Sequence, residues 1–543
     1  MLRRQGRLAA VLAALCASLA VPALAGATPA PLPAGWPSAT MQLGLRDDEG
    51  GAAALGQSTK LRIRYHYLSG GVNTGRGWST WAQGGGSFVT GFIDDSVSHG
   101  FLPVFSYYQL PESSPGTGGD EQQGDLLNLR TPQTMKTWFE DLKLFFAKAN
   151  QTGQTAVLHV EPDLWGYIEK AELGNGGRDV PVAVASTGLT ELQGLPNDAS
   201  GLARAVVRLR DAYAKHVLLG YHLSVWGTGE DIGDSDPSDA HVDQLAAQAA
   251  SFYQGLHANF DLVFAETANR DAGYRKAVDG DDRGWWTAQD FARNVRFLGD
   301  VANTTGKRIV MWQTPLGNTA MRSMNNTYGH YQDNRVQWLL DGATGRDHLK
   351  AYANAGVIAF LFGAALDGAT CACDARHDGV TNPAPISGNT RTALSADDDG
   401  GLFRSLANGY YAAGTVALPA ATVSGGKPGK SSGPARFTIS TTRAAKSVHR
   451  GTTFAAKVRV RASKTTRVVV AVQYYKPGAR SLTAQVSYRS QTLRGGKTKT
   501  FNPRYKVPSG ARRGGWKVKV GVFDANFKKL LQWSENAARF TVR

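Results

Sequence analysis

The chain has 543 residues and a formal net charge of +16. That length points to more than one domain with ample core. Beyond the N-terminus no apolar run is long enough to span a bilayer, which excludes an integral helical membrane protein. Of the cysteines, only Cys371 and Cys373 lie outside the leader, and zinc needs more ligands than this pair offers.

The N-terminus reads MLRRQGRLAAVLAALCASLAVPALAGA. Arg3, Arg4 and Arg7 form a basic start, an apolar stretch runs from about Leu8 to Ala20, and Ala23-Leu24-Ala25 is a small-residue cleavage site. This is the pattern of a Sec-type signal peptide over 1–25, so the mature protein is expected to be secreted. Cys16 leaves with the leader and follows Leu15 where a lipoprotein signal needs a small residue. In TCACD, a bridge between Cys371 and Cys373 and two free thiols are both open.

Eight short apolar runs follow: 41–45, 61–68, 102–110, 156–165, 218–227, 261–267, 308–314 and 357–364. Helical stripes separate them. Residues 132–148 carry Met135, Trp138, Leu142, Phe145 and Phe146 at helical spacing, and 200–216, 241–256, 287–302 and 335–340 carry similar patterns. Strands alternating eight times with helices predict a (β/α)8 TIM-type barrel over 36–417. No G-x-G-x-x-G follows the first strand, which counts against a doubly wound dinucleotide-binding sheet.

The fourth run ends in acids, as TAVLHVEPDLWGYI. Alternation along a strand predicts His159, Glu161 and Asp163 on one face, at the carboxyl end where such barrels keep their chemistry. The fifth run ends in His222, Ser224 and Trp226, the sixth in Glu266, the seventh in Trp312 and Gln313. Glu161, Asp163 and Glu266 are therefore the candidate catalytic groups. His66, Tyr107, Tyr108, His159, Trp165, Trp226, Trp312 and Gln313 are the candidate substrate-binding groups. Carboxylates from two strands, beside indoles that can stack on sugar rings, point to glycoside hydrolysis, in which one carboxyl protonates the leaving oxygen and the other attacks or activates water. No metal or other cofactor is expected. The acid-rich 231–243 and 396–401 lack EF-hand spacing and read as solvated loops. G-x-S-x-G is absent, which argues against an ordinary esterase.

The stretch VEPDLWG resembles the signature of family 6 glycoside hydrolases, in which a hydrophobic strand runs into E-P-D. The resemblance implies that Asp163 is the proton donor. Glu161-Pro162 also resembles the N-E-P strand end of the large retaining clan of barrel hydrolases, which would make Glu161 the acid. The alternative to an enzyme is a non-catalytic carbohydrate-binding protein or cell-surface adhesin that keeps the barrel as a scaffold.

Residues 418–435 are rich in Gly, Ser and Pro and read as a linker. From Ala421 onward the chain holds 27 Lys and Arg against two acids, whereas the part before it holds 42 acids. Residues 436–543 alternate with period two between turn residues, which predicts a basic β-sandwich accessory domain. Lys457, Arg459 and Arg461 alternate along one strand and Lys517 and Lys519 along another, so an anionic polysaccharide or cell-wall polymer is the expected partner. Export disfavours nucleic acid as a natural partner.

Overall fold

In a computed structural model, the protein is described over residues 29–543 apart from 173–175, 269, 364–365, 421–434, 444, 480–481, 525–526 and 528. The expected signal peptide lies outside the described residues, as does most of the expected linker. No described helix is long and apolar enough to cross a membrane.

The eight apolar runs become the eight staves of a closed parallel barrel: β1 Gln42–Arg46, β2 Ile63–Leu68, β3 Leu102–Tyr107, β4 Ala156–Val160, β5 Val217–Leu223, β6 Leu262–Glu266, β7 Arg308–Thr314 and β8 Val357–Phe362. β1 closes the barrel on β8, with Gly44 opposite Leu361. These strands are buried on both faces, so they read as continuous apolar runs rather than alternating ones. Helices cover the outside. The stripe expected from residue 132 forms Pro132–Thr152 and buries Met135, Trp138, Leu142, Phe145 and Phe146 against the barrel. The helix Leu402–Ala412 ends the barrel unit, and its Tyr410 hydroxyl donates to the Met41 carbonyl at 2.9 Å. Cys371 and Cys373, in the loop after β8, form a disulfide.

The C-terminal part forms two sheets face to face. Its strands are β9 Phe437–Arg443, β10 Ser447–Val448, β11 Thr453–Ala462, β12 Thr466–Tyr475, β13 Ala484–Leu493, β14 Thr498–Phe501, β15 Arg504–Lys506, β16 Gly514–Asp524 and β17 Leu530–Val542. One sheet has the order β10-β17-β16-β12-β13. In the other, β11 has β9 on one side and β14 and β15 on the opposite side. All pairs are antiparallel except β10 with β17. Phe454 stacks on Phe540 at 3.9 Å and Tyr474 on Tyr505 at 4.4 Å, and these contacts join the two inner faces into one core.

Candidate active site

β4 stops at Val160, one residue before the acids. Glu161 and Asp163 then take left-handed backbone conformations, with φ of 43° and 68°. Side chains such as these rarely adopt that region, and strain of this kind gathers at functional sites. The strand alternation expected through Asp163 therefore fails, and the two acids point to different places. The helix Leu164–Ala171 begins directly after the turn. Gly166 lets it pack against the end of β5, because a Cβ there would lie 2.6 Å from Ser224 Cβ.

Asp163 turns into the barrel mouth. One oxygen of Asp163, one of Glu266 and one ring nitrogen of His222 lie within 4.8 Å of one another. The two acids are half-buried and His222 is fully buried. Burial pushes the Asp163 carboxyl up to about 7, helped by the nearby charge of Glu121. Burial also raises Glu266 well above the carboxylate range; the charges of Asp163 and Asp231 add to this, and a hydrogen bond from Trp226 opposes it. Two like charges this close cannot both ionise freely, so the pair holds a proton near neutral pH.

A chain of neutral imidazoles supports the pair. His222 Nδ1 meets His159 Nε2 at 2.9 Å, and His159 Nδ1 meets Ser106 Oγ at 3.2 Å. Burial drives His159 well below the usual imidazole range and His222 down to about 3. His222 Nε2 has no hydrogen-bond partner, and one nitrogen of the ring lies within 4.8 Å of both carboxylates. His159 is clamped between rings, stacked on Phe264 at 4.2 Å with the Trp312 edge at 4.9 Å. Gly220 makes room for that Phe264 ring, since a Cβ would lie 2.4 Å from it. Gln313, also left-handed at φ 55°, donates to the Tyr67 hydroxyl at 3.0 Å, and Tyr67 packs on Trp312 at 5.7 Å.

Glu266 and Trp226 open into a cleft of about 460 Å³ whose walls include Asp231, Arg270, Tyr274 and Trp286. A second cavity, of about 590 Å³, lies at the opposite end of the barrel around Gln42, Arg62 and Tyr411, away from the carboxylates.

Several expected site residues lie elsewhere. Glu161 is fully buried outside the barrel wall, where it accepts from Trp138 Nε1 at 2.6 Å and from the backbone amides of Gln109 and Leu110 at 3.2 Å. It ties the end of β3 to a helix and does not share the space of Asp163 and Glu266. Trp165 donates to the Val160 carbonyl at 2.9 Å and packs on Tyr221 and Phe260 in the layer between strands and helices. Tyr107 faces the same layer, donating to Asp141 at 2.7 Å. His66 packs on Phe88 and Phe92 outside the barrel; its strand neighbour Tyr67 points inward instead. Tyr108, by contrast, stays beside the site: it lies near Asp163 and donates to Glu121 Oε1 at 2.6 Å.

Sequence reading missed Glu121 and Tyr167, which stand near Asp163 on helices, because nothing in their local pattern separates them from surface residues. The acid-rich 231–243 is not simply solvated. Arg275 pairs with Asp234 at 2.8 Å, Arg293 with Asp236 at 2.9 Å and Arg296 with Asp243 at 2.6 Å. Asp163, His222 and Glu266 are also the group of nitrogen and oxygen donors that, among the described residues, comes close enough to surround a metal ion.

No family model matches the chain, and no curated protein matches it. Among solved structures, an exo-β-1,4-mannosidase from Opitutaceae bacterium strain TAV5 is 12% identical over 68% of this chain and 59% of its own, with a TM-score of 0.38. A Bacteroides uniformis β-glucuronidase 2 is 8% identical over 93% of this chain and 46% of its own, with a TM-score of 0.32. The chain thus spans about half the length of these two proteins. The chain is also similar to the C-terminal domain of wzt, at 10% identity over 20% of this chain and 73% of that one, with a TM-score of 0.17. Likenesses this remote carry no argument about activity.

Proposed function

We propose that the protein is an exported glycoside hydrolase whose catalytic pair is Asp163 and Glu266. The observation that carries this reading is the short separation of the two carboxylates at the C-terminal mouth of the barrel, with oxygens within 4.8 Å. Retaining glycosidases hold their carboxyls about 5–5.5 Å apart, while inverting ones leave about 6.5–9.5 Å for a water. With nearest oxygens no more than 4.8 Å apart, the pair is closer than the inverting gap, which favours a retaining course. In this reading Glu266, whose carboxyl burial holds protonated, gives its proton to the glycosidic oxygen. Asp163 attacks the anomeric carbon and forms a glycosyl ester, and the aglycone leaves as the alcohol. Water then attacks the anomeric carbon, Glu266 takes the water's proton, the bond from that carbon to Asp163 breaks, and Asp163 leaves as carboxylate. Trp226 and Tyr274, half-buried in the cleft beside Glu266, offer rings for sugars. The leader at 1–25 supports export.

The test exposes purified protein to a panel of neutral and acidic polysaccharides and reads new reducing ends, with Asp163→Asn and Glu266→Gln alongside. Release that both changes abolish supports the assignment. Glycan binding without release, unaffected by either change, would leave the adhesin reading in its place.

A further inference from the structure

We infer that the outer face of the β9-β11-β14-β15 sheet is a docking surface for a linear acidic polysaccharide. The inference rests on the β-sandwich alone and stands or falls apart from the hydrolase reading.

Residues directly opposite in a ladder project to the same side, so the register shows which side chains share the face. On β11, Lys457, Arg459 and Arg461 are exposed while Val458 and Val460 are buried. Lys457 lies opposite Thr442, Arg459 opposite Ser440 and Arg461 opposite Thr438 on β9. On the other side Arg459 lies opposite Thr500 and Arg461 opposite Thr498 of β14. Further along, Ala455 lies opposite Arg504 and Thr453 opposite Lys506 of β15. Arg504, Lys506, Thr498, Thr500, Thr438, Ser440 and Thr442 are all exposed. Five cations thus share one face with a border of hydroxyls. The three on β11 stand in a row about 7 Å apart, the distance of two residues along a strand.

Among the described residues no carboxylate forms an ion pair with any of these five cations. The domain's two acids, Asp524 and Glu535, lie on β16 and β17 of the other sheet. Lys519, expected to join the cationic surface, also belongs to that other sheet, where Glu535 pairs with it. Of the five cations, Arg461 is also tethered, donating through Nε to the Gly496 carbonyl at 3.2 Å.

The chemistry of the face selects among polyanions. Its Ser and Thr hydroxyls, placed between cations, suit a chain that carries carboxylates and hydroxyls together. Bases of single-stranded nucleic acid need aromatic platforms, and the residues of this face include no ring. A membrane surface would call for large apolar side chains to insert, and on the strands named this face offers only the methyl of Ala455.

The test is affinity electrophoresis of the full chain in gels containing polygalacturonate, with dextran gels as reference. Retardation is expected in polygalacturonate and not in dextran, and it should weaken as salt is raised. Lys457→Gln/Arg459→Gln/Arg461→Gln should weaken it about 10- to 100-fold. Lys446→Gln/Lys476→Gln/Arg513→Gln, which removes the same charge from elsewhere in the domain, should change it less than about threefold. The conservative Lys457→Arg/Arg459→Lys/Arg461→Lys should keep binding, and so guards against loss through misfolding. Equal losses in both charge-removing variants, no retardation, or stronger binding to double-stranded DNA or to phosphatidylglycerol vesicles than to polygalacturonate would each overturn the inference. None of these readings depends on hydrolysis.

Discussion

An oxygen of Asp163, from the turn after β4, lies within 4.8 Å of an oxygen of Glu266, at the end of β6. Among the described residues neither acid forms an ion pair with a lysine or arginine; a ring nitrogen of the neutral His222 lies beside both. That arrangement keeps a proton on the pair and leaves it room to react.

The separation predicts the stereochemical outcome. Hydrolysis followed by proton NMR should show first the anomer that matches the substrate, as retention requires. Glu266→Gln and Asp163→Asn should each lower kcat by about 10²–10⁴-fold or more. Both should leave the melting temperature unchanged or raise it, because each removes a like charge from a desolvated site.

The pH dependence follows from the same pair. Asp163 must be ionised to attack, and burial holds it at about 7. Activity should therefore rise with pH through an acid limb near 7 and fall once the pair loses its last proton, assigned here to Glu266. An optimum below pH 5 in a kcat/KM profile would contradict the assigned roles.

Glu161 should prove to be a support and not a catalyst. Glu161→Ala strands three buried donors and should cost about 2–4 kcal/mol, read by denaturant unfolding. Glu161→Gln keeps an acceptor but turns its amide toward backbone N–H groups, at a cost of about 1–3 kcal/mol, with the remaining folded enzyme active. Burial pushes this carboxyl up to about 8 despite its donors, and Glu169 likewise. Unfolded, both release their protons near the ordinary value, so between about pH 4.5 and 8 the folded state holds protons that the unfolded state has lost. Rising pH then favours unfolding, and the melting temperature should fall from pH 5 to pH 8. Glu161→Gln should flatten that fall.

The tryptophans should divide by position. Trp165→Ala opens a hole between strands and helices and should cost about 3–5 kcal/mol of stability. Trp226→Ala, at the cleft, should raise KM with little effect on melting, as steady-state kinetics and calorimetry would show together.

Chelation by EDTA should leave turnover unchanged, because the proposed chemistry uses carboxylates alone. Added Zn²⁺ should inhibit, since Asp163, His222 and Glu266 offer it an imidazole and two carboxylates at once. A chelator-sensitive enzyme restored by metal would mean that the trio is a metal centre.

Much of the barrel was legible before any coordinates. Val357–Phe362 and Arg308–Thr314 stand out because a strand covered on both sides must be apolar throughout. Helices such as Ala288–Thr305 stand out by their one apolar stripe. Ser87–Ser98 and Glu121–Arg130 went unread, since their polar faces and neighbouring turns blur the period. At the site, Asp163 and Glu266 were legible as acids at strand ends. Glu161 was misplaced because alternation was extended past Val160, where the backbone had already left the strand.

What the sequence alone determined is what depends on local pattern: eight strands, the helices between them, an acidic barrel and a basic β-rich tail. Tertiary structure decided which side of the wall each polar residue faces. His66 went outward and Tyr67 inward, and Glu161 was sealed away from Asp163 two residues on. It also separated Lys457, Arg459 and Arg461 from Lys519, whose pattern along the chain is the same. The physical reason is that alternation orders neighbours within one strand, whereas the face a strand turns to the core, and the strand laid beside it, depend on packing between residues far apart in the chain.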